Sequence, residues 1–110
     1  MKPQQNQDLE QKIENIPTDF DMGKKGQTTI PPTTVKKLDL KPGDFLRIEV
    51  YKFYDEKKLV NSLAHHISFI GIVREKYQLT ISHDVRKLLD IKENYILEVG
   101  VCKLEPYKYK

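Results

Sequence analysis

Two stretches of this chain, residues 25–50 and 76–101, carry one pattern twice at a constant offset of 51 residues, without a gap. Gln27-Thr28-Thr29-Ile30 is answered by Gln78-Leu79-Thr80-Ile81. The same offset pairs Lys25 with Lys76, Lys36 with Lys87, Leu38 with Leu89, Asp39 with Asp90 and Lys41 with Lys92. A unit this short cannot bury its own apolar face, so two copies in one chain are expected to close on each other around a shared core. The 110 residues suffice for one such core and not for a second.

Local signals give each copy the same order of elements. In the first, a strand is expected around Ile16 to Met22, a turn at Gly23-Lys24-Lys25-Gly26 and a second strand from Gln27 to Ile30. Two glycines around two lysines favour a flexible, basic hairpin loop. Pro31-Pro32 ends the strand and admits a short helix, about Thr33 to Leu38. Lys41-Pro42-Gly43-Asp44 is a turn, and Phe45 to Phe53 reads as a strand with Leu46, Ile48 and Val50 on one face and Arg47 and Glu49 on the other. The second copy runs Ile67 to Val73, Arg74-Glu75-Lys76, then Tyr77 to Ile81. Ser82 is a good helix N-cap, with Asp84 in the first helical turn. Asn94 stands in for Gly43, since asparagine also accepts a left-handed conformation. Leu97, Val99 and Val101 match Leu46, Ile48 and Val50.

The expected organisation is a mobile polar tail at 1–15, half-units at 16–55 and 67–105 joined by a helix or loop at 56–66, and a short tail at 106–110. The expected fold class is mostly β with short helices: two tandem β-β-α-β repeats forming one pseudo-two-fold barrel per chain. A homodimer exchanging halves through the connector is the alternative.

Several function classes are excluded by what the sequence lacks. Cys102 is alone, so no intrachain disulfide and no thiolate zinc site is expected. There is no phosphate-binding glycine loop, no Gly-x-Ser-x-Gly elbow and no His-Glu-x-x-His site, so neither an enzyme nor a cofactor is expected. His65-His66 and His83 read as surface histidines, because neighbouring side chains of a strand point to opposite faces. Apolar runs such as Ile67 to Val73 fall far short of the roughly 20 residues that span a bilayer. The opening Met1-Lys2-Pro3-Gln4-Gln5 lacks a signal-peptide core, so a cytoplasmic, membrane-free location is expected, with nucleoid association open.

Charge is informative once it is divided by region. The whole chain nets +3. From Gly23 to Lys41, five lysines (Lys24, Lys25, Lys36, Lys37, Lys41) face one acid, Asp39, a local net of +4. From Arg74 to Lys92, Arg74, Lys76, Arg86, Lys87 and Lys92 face Glu75, Asp84 and Asp90, a local net of +2. The positive charge collects on the repeated turn and helix.

The stretch Gly23-Lys24-Lys25-Gly26-Gln27-Thr28-Thr29-Ile30-Pro31, followed by Leu38-Asp39-Leu40-Lys41-Pro42-Gly43-Asp44, resembles the AbrB/MazE/SpoVT swapped-hairpin family. The second copy is a looser match, with Tyr77 in place of the glycine and Ser82 in place of the proline. The resemblance implies a small barrel of two interleaved half-units, used mainly by bacterial and archaeal DNA-binding transcription regulators. Both halves in one chain look like the tandem MraZ arrangement. It further implies duplex contacts by Lys24, Lys25, Lys36 and Lys37 in the first half and by Arg74, Lys76, Arg86 and Lys87 in the second. Lys41 and Lys92 extend the same basic windows. Where the family often has an arginine, present here as Arg86, the first half has Val35, so the two halves are not expected to make identical contacts.

Such lysines and arginines act first on phosphates, giving salt-sensitive affinity without sequence information. Gln27 and Gln78 are the candidates for base edges, since glutamine can pair bidentately with adenine. Phe53, Tyr54, Tyr77 and Tyr95 are expected to pack at strand ends rather than stack on bases. Two other classes stay open: an RNA- or ribosome-associated protein reading folded RNA by shape and phosphate, and an antitoxin or other protein-interaction module using its N-terminal tail.

Overall fold

Prolines and left-handed residues set the element boundaries. The computed structural model describes residues 15–55 and 58–105, so residues 1–14 of the expected N-terminal tail, the expected tail at 106–110 and the head of the connector lie outside the described residues. Strand β1 (Ile16–Asp21) leads through a tight turn, Lys24–Gly26, into β2 (Gln27–Thr29) and helix α1 (Pro32–Leu38). Strands β3 (Phe45–Asp55) and β4 (Lys58–Ile72) follow. A second tight turn, Glu75–Tyr77, then opens β5 (Gln78–Thr80), helix α2 (His83–Leu89) and β6 (Tyr95–Leu104). Pro31 and Pro32 cannot donate to a ladder, so β2 stops short and Pro32 opens α1 instead. Ser82 does the same for α2 by accepting from the Val85 amide at 3.3 Å. Both helices end on an aspartate in the left-handed region, Asp39 at φ 52° and Asp90 at φ 58°.

The strands form a four-stranded antiparallel sheet in the order β1-β6-β3-β4 and a separate two-stranded ribbon, β2-β5. Every ladder joins a strand of one half to a strand of the other, so the halves interleave. Three expectations are corrected. The segment around Gly23 to Gly26 is no hairpin loop between paired strands, because β1 hydrogen-bonds to β6 and β2 to β5. The connector is neither helix nor loop from Lys58 onward but the first part of β4, recruited by the ladder that β3 offers. The described strands also form no closed barrel, since the short β2 and β5 pair only with each other.

The offset of 51 holds at the level of single hydrogen bonds. The Met22 amide donates to Tyr95 O at 2.8 Å and the Val73 amide to Asp44 O at 2.9 Å. Likewise Ile30 N reaches Tyr77 O and Ile81 N reaches Gly26 O, both at 2.9 Å. Left-handed residues recur in the same pairs: Lys25 (φ 58°) with Lys76 (φ 60°), Gly26 (φ 79°) with Tyr77 (φ 56°), and Gly43 (φ 98°) with Asn94 (φ 74°). Inside the sandwich of sheet, ribbon and helices lie Phe20, Leu46, Ile48, Val50, Leu79, Ile81, Leu97, Val99 and Val101, all inaccessible to solvent. Two irregularities interrupt the sheet, a bulge at Tyr51 where β3 shifts register against both neighbours and a second shift against β4 between Phe53 and Tyr54.

Where side chains differ between equivalent positions, the differences compensate. Phe20 and Thr28 of the first half correspond to Gly71 and Leu79 of the second. A Cβ on Gly71 would stand 2.6 Å from the Leu79 Cδ1 methyl, so the larger ribbon residue is matched by the smaller strand residue. Thr18 and Thr34 share a buried hydroxyl contact of 2.9 Å that ties β1 to α1. Because Thr18 also donates to Ile16 O at 2.9 Å, Thr34 is the donor in that contact. Their equivalents are the apolar Phe69 and Val85, which pack on the core instead.

Candidate nucleic-acid interface

The β2-β5 ribbon sets the geometry. Gln27 lies opposite Thr80, Thr28 opposite Leu79 and Thr29 opposite Gln78. Strand alternation turns Thr28 and Leu79 into the core and leaves Gln27, Thr29, Gln78 and Thr80 exposed on the outer face. The ribbon therefore presents four short polar side chains, with a tight turn leading into each strand.

Interleaving sets each turn beside the helix of the other half. The first turn meets α2: Arg86 lies against Gly26 and its Nε donates to Ile81 O at 3.0 Å. The second turn meets α1, and a cleft there is lined by residues of both halves, including Lys36 and Lys76. Lys24, Gln27, Thr29 and Gln78 share a second, polar cleft with Asp21. Arg74 and Gln78 line a third with Glu75 and Gly43. Thus Lys24, Gln27, Lys36, Arg74, Lys76 and Gln78, six of the twelve candidate residues, are gathered around the ribbon, and exposed Lys25 belongs to the first turn.

The other five are placed differently. Lys37 and Lys87 are exposed on their helices and Lys92 on the turn after α2, outside the three clefts. Lys41 turns to Asp39 at 3.5 Å in an exposed ion pair. Arg86 is half-buried, its Nε donating to Ile81 O and its side chain lying against Gly26 of the first turn, so it is less available than the exposed lysines.

On the outer side of the four-stranded sheet Asp19 pairs across strands with Glu98 and Glu98 with Lys52, and Arg47 and Glu49 lie on that same face. There the bulged Tyr51 donates to Glu49 Oε1 at 3.3 Å. Burial, and then the neighbouring Glu49 carboxylate, push the Tyr51 phenol above its ordinary value, with Arg47 opposing. Among the described residues no three His, Cys, Asp or Glu side chains are grouped as metal ligands.

Three features around the ribbon were not singled out as site residues in the sequence. Thr28 is buried with a hydroxyl that finds no hydrogen-bond partner among the described residues, and it borders the polar cleft. Val35 and Tyr77 both line the cleft between α1 and the second turn. Each was visible as a departure from the repeat, Val35 against Arg86 and Tyr77 against Gly26. Only the interleaved fold brings the two departures together.

No family model matches the chain, and no curated protein matches it. Among solved structures it is similar to the solution structure of PHS018 from Pyrococcus horikoshii, at 21% identity and a TM-score of 0.65, over 86% of this chain and 96% of that one. A likeness at that identity concerns the fold.

Proposed function

We propose that this chain is a DNA-binding protein of the swapped-hairpin, AbrB-like type, with both half-units in one polypeptide, and that it acts as a transcription regulator. The observation that carries the proposal is the interleaved ribbon, which gathers basic residues of both halves at its ends and leaves Gln27 and Gln78 exposed between them. A two-stranded ribbon is narrow enough to enter the major groove, where glutamine can read adenine while flanking lysines hold phosphates.

Titration of a mixed-sequence duplex at about 50 and 200 mM salt tests this directly. If the ribbon-face lysines neutralise four to six phosphates, log K falls with log salt at a slope of about −4 to −5. Lys24→Ala/Lys25→Ala and Lys36→Ala/Lys37→Ala should each reduce that slope by about 2 without unfolding the protein. Unchanged affinity and slope in both variants would place the nucleic acid elsewhere or remove it altogether. Lys87→Ala is the informative change on α2, because Arg86→Ala also releases the first turn.

A further inference from the structure

The two turn-helix junctions are equivalent by the repeat and differ in one respect that matters for ligands. At one junction Gly26 leaves room for Arg86, whose side chain crosses the turn so closely that a Cβ on Gly26 would lie 2.5 Å from Nε. At the other, the short Val35 takes the place of Arg86 and the ring of Tyr77 takes the place of the glycine. The exchange does not fill the same space. A cavity of about 280 Å³ opens between α1 and the second turn, walled by Ile30, Pro32, Val35 and Tyr77, with Lys36 and Lys76 also lining it.

Shape and charge point to one class of occupant. The walls are apolar, and the charged lining residues are two exposed lysines with no acid among them. The volume is just below the range of about 300–1,000 Å³ usual for small-molecule sites, so one or two fused rings would occupy it. Tyr77 is held at φ 56°, a conformation in which a bulky residue is an outlier and which its equivalent meets with glycine. That backbone presents the ring to the cleft while its carbonyl still accepts from Ile30 N.

We propose that this cleft is a binding site for a small aromatic carboxylate, its ring between Val35 and Tyr77 and its carboxylate against Lys36 and Lys76. Binding itself does not depend on the DNA proposal. Only the consequence rests on it: a carboxylate held by Lys36 and Lys76 takes those charges from phosphate, so occupancy lowers DNA affinity.

The probe is 1-naphthaleneacetate, followed by the methyl resonances of the protein and by calorimetry in the absence of DNA. One molecule should bind per chain and shift the Val35 methyl signals. The neutral 1-naphthaleneacetamide should bind about tenfold more weakly, as should the acid to Lys36→Gln/Lys76→Gln, since two exposed ion pairs are lost. Val35→Arg/Tyr77→Gly, which rebuilds the other junction here, should abolish binding. The converse Gly26→Tyr/Arg86→Val should open a second cleft and raise the stoichiometry to two. Absence of Val35 shifts at saturating probe, or undiminished binding to folded Val35→Arg/Tyr77→Gly, would overturn the site. If the probe binds as described while duplex affinity is unaffected, the site stands and its link to DNA falls.

Discussion

The contact between Gly26 and Arg86 can be weighed by a double-mutant cycle. A methyl group on Gly26 would meet Ile81 O at 2.4 Å and Arg86 Nε at 2.5 Å, at a residue held at φ 79°. The Ile81 contact is with backbone and asks the turn to shift toward the φ of 56° that Tyr77 adopts at the equivalent position, whereas the Arg86 contact is relieved by moving that side chain off the turn. Gly26→Ala therefore displaces Arg86 and loses its hydrogen bond to Ile81 O, worth about 1.5–3 kcal/mol for a charged donor. Left-handed strain adds about 1–2 kcal/mol. The single change should cost about 3–4 kcal/mol in urea unfolding followed by circular dichroism. In an Arg86→Val background the hydrogen bond is already gone and the turn is free to relax, so the same substitution should cost only the strain. The expected coupling is about 2 kcal/mol, well above the roughly 0.5 kcal/mol within which independent sites add. Additive costs would refute the claim that Arg86 braces the turn.

Other expected outcomes follow from single contacts. Thr28→Val should stabilise the chain by roughly 1 kcal/mol in the same unfolding assay, because it removes a buried hydroxyl without a partner and keeps the shape; a loss of stability would show that the hydroxyl is satisfied. Asp90→Gly should gain about 0.5–1 kcal/mol by relieving a left-handed aspartate at the end of α2. The raised pKa of Tyr51 means that the folded chain holds this proton more tightly than the unfolded one. Its contribution is complete below the ordinary tyrosine pKa and is lost as pH rises through the folded value, so Tyr51→Phe should flatten the fall in stability above about pH 10. Buried Cys102 should resist a thiol reagent in native buffer and react at the unfolding rate in denaturant.

Much of the local structure was legible in the sequence, because local residues decide it. Pro31-Pro32, Ser82, Gly43 and Asn94 mark boundaries through their own backbone chemistry, and the alternation of Leu46, Ile48 and Val50 names the buried face of β3. Strand partners were less legible, since alternation states which face is buried and not which strand lies alongside. Nothing in Ile16 to Asp21 announces pairing with β6 rather than β2. The segment after Lys58 carries no clean alternation, with Leu59 and Val60 both exposed, and becomes strand because β3 offers it a ladder. The same gap affected the site. Basic positions could be read one by one, whereas the role of Arg86 as a brace and the meeting of Val35 with Tyr77 depend on which half lies against which.

Covalent union of the two interleaved halves releases each from a constraint that a dimer of identical chains must obey. In such a dimer any change at a junction happens twice, so Gly26 with Arg86 at one end would force the same pair at the other. Within one chain the ends drift separately, provided each change is answered by its spatial neighbour, as Gly26 goes with Arg86 at one junction and Tyr77 with Val35 at the other. The evolutionary unit is then the facing pair drawn from opposite halves, and substitutions in homologous chains should track one another across the junctions rather than along the repeat.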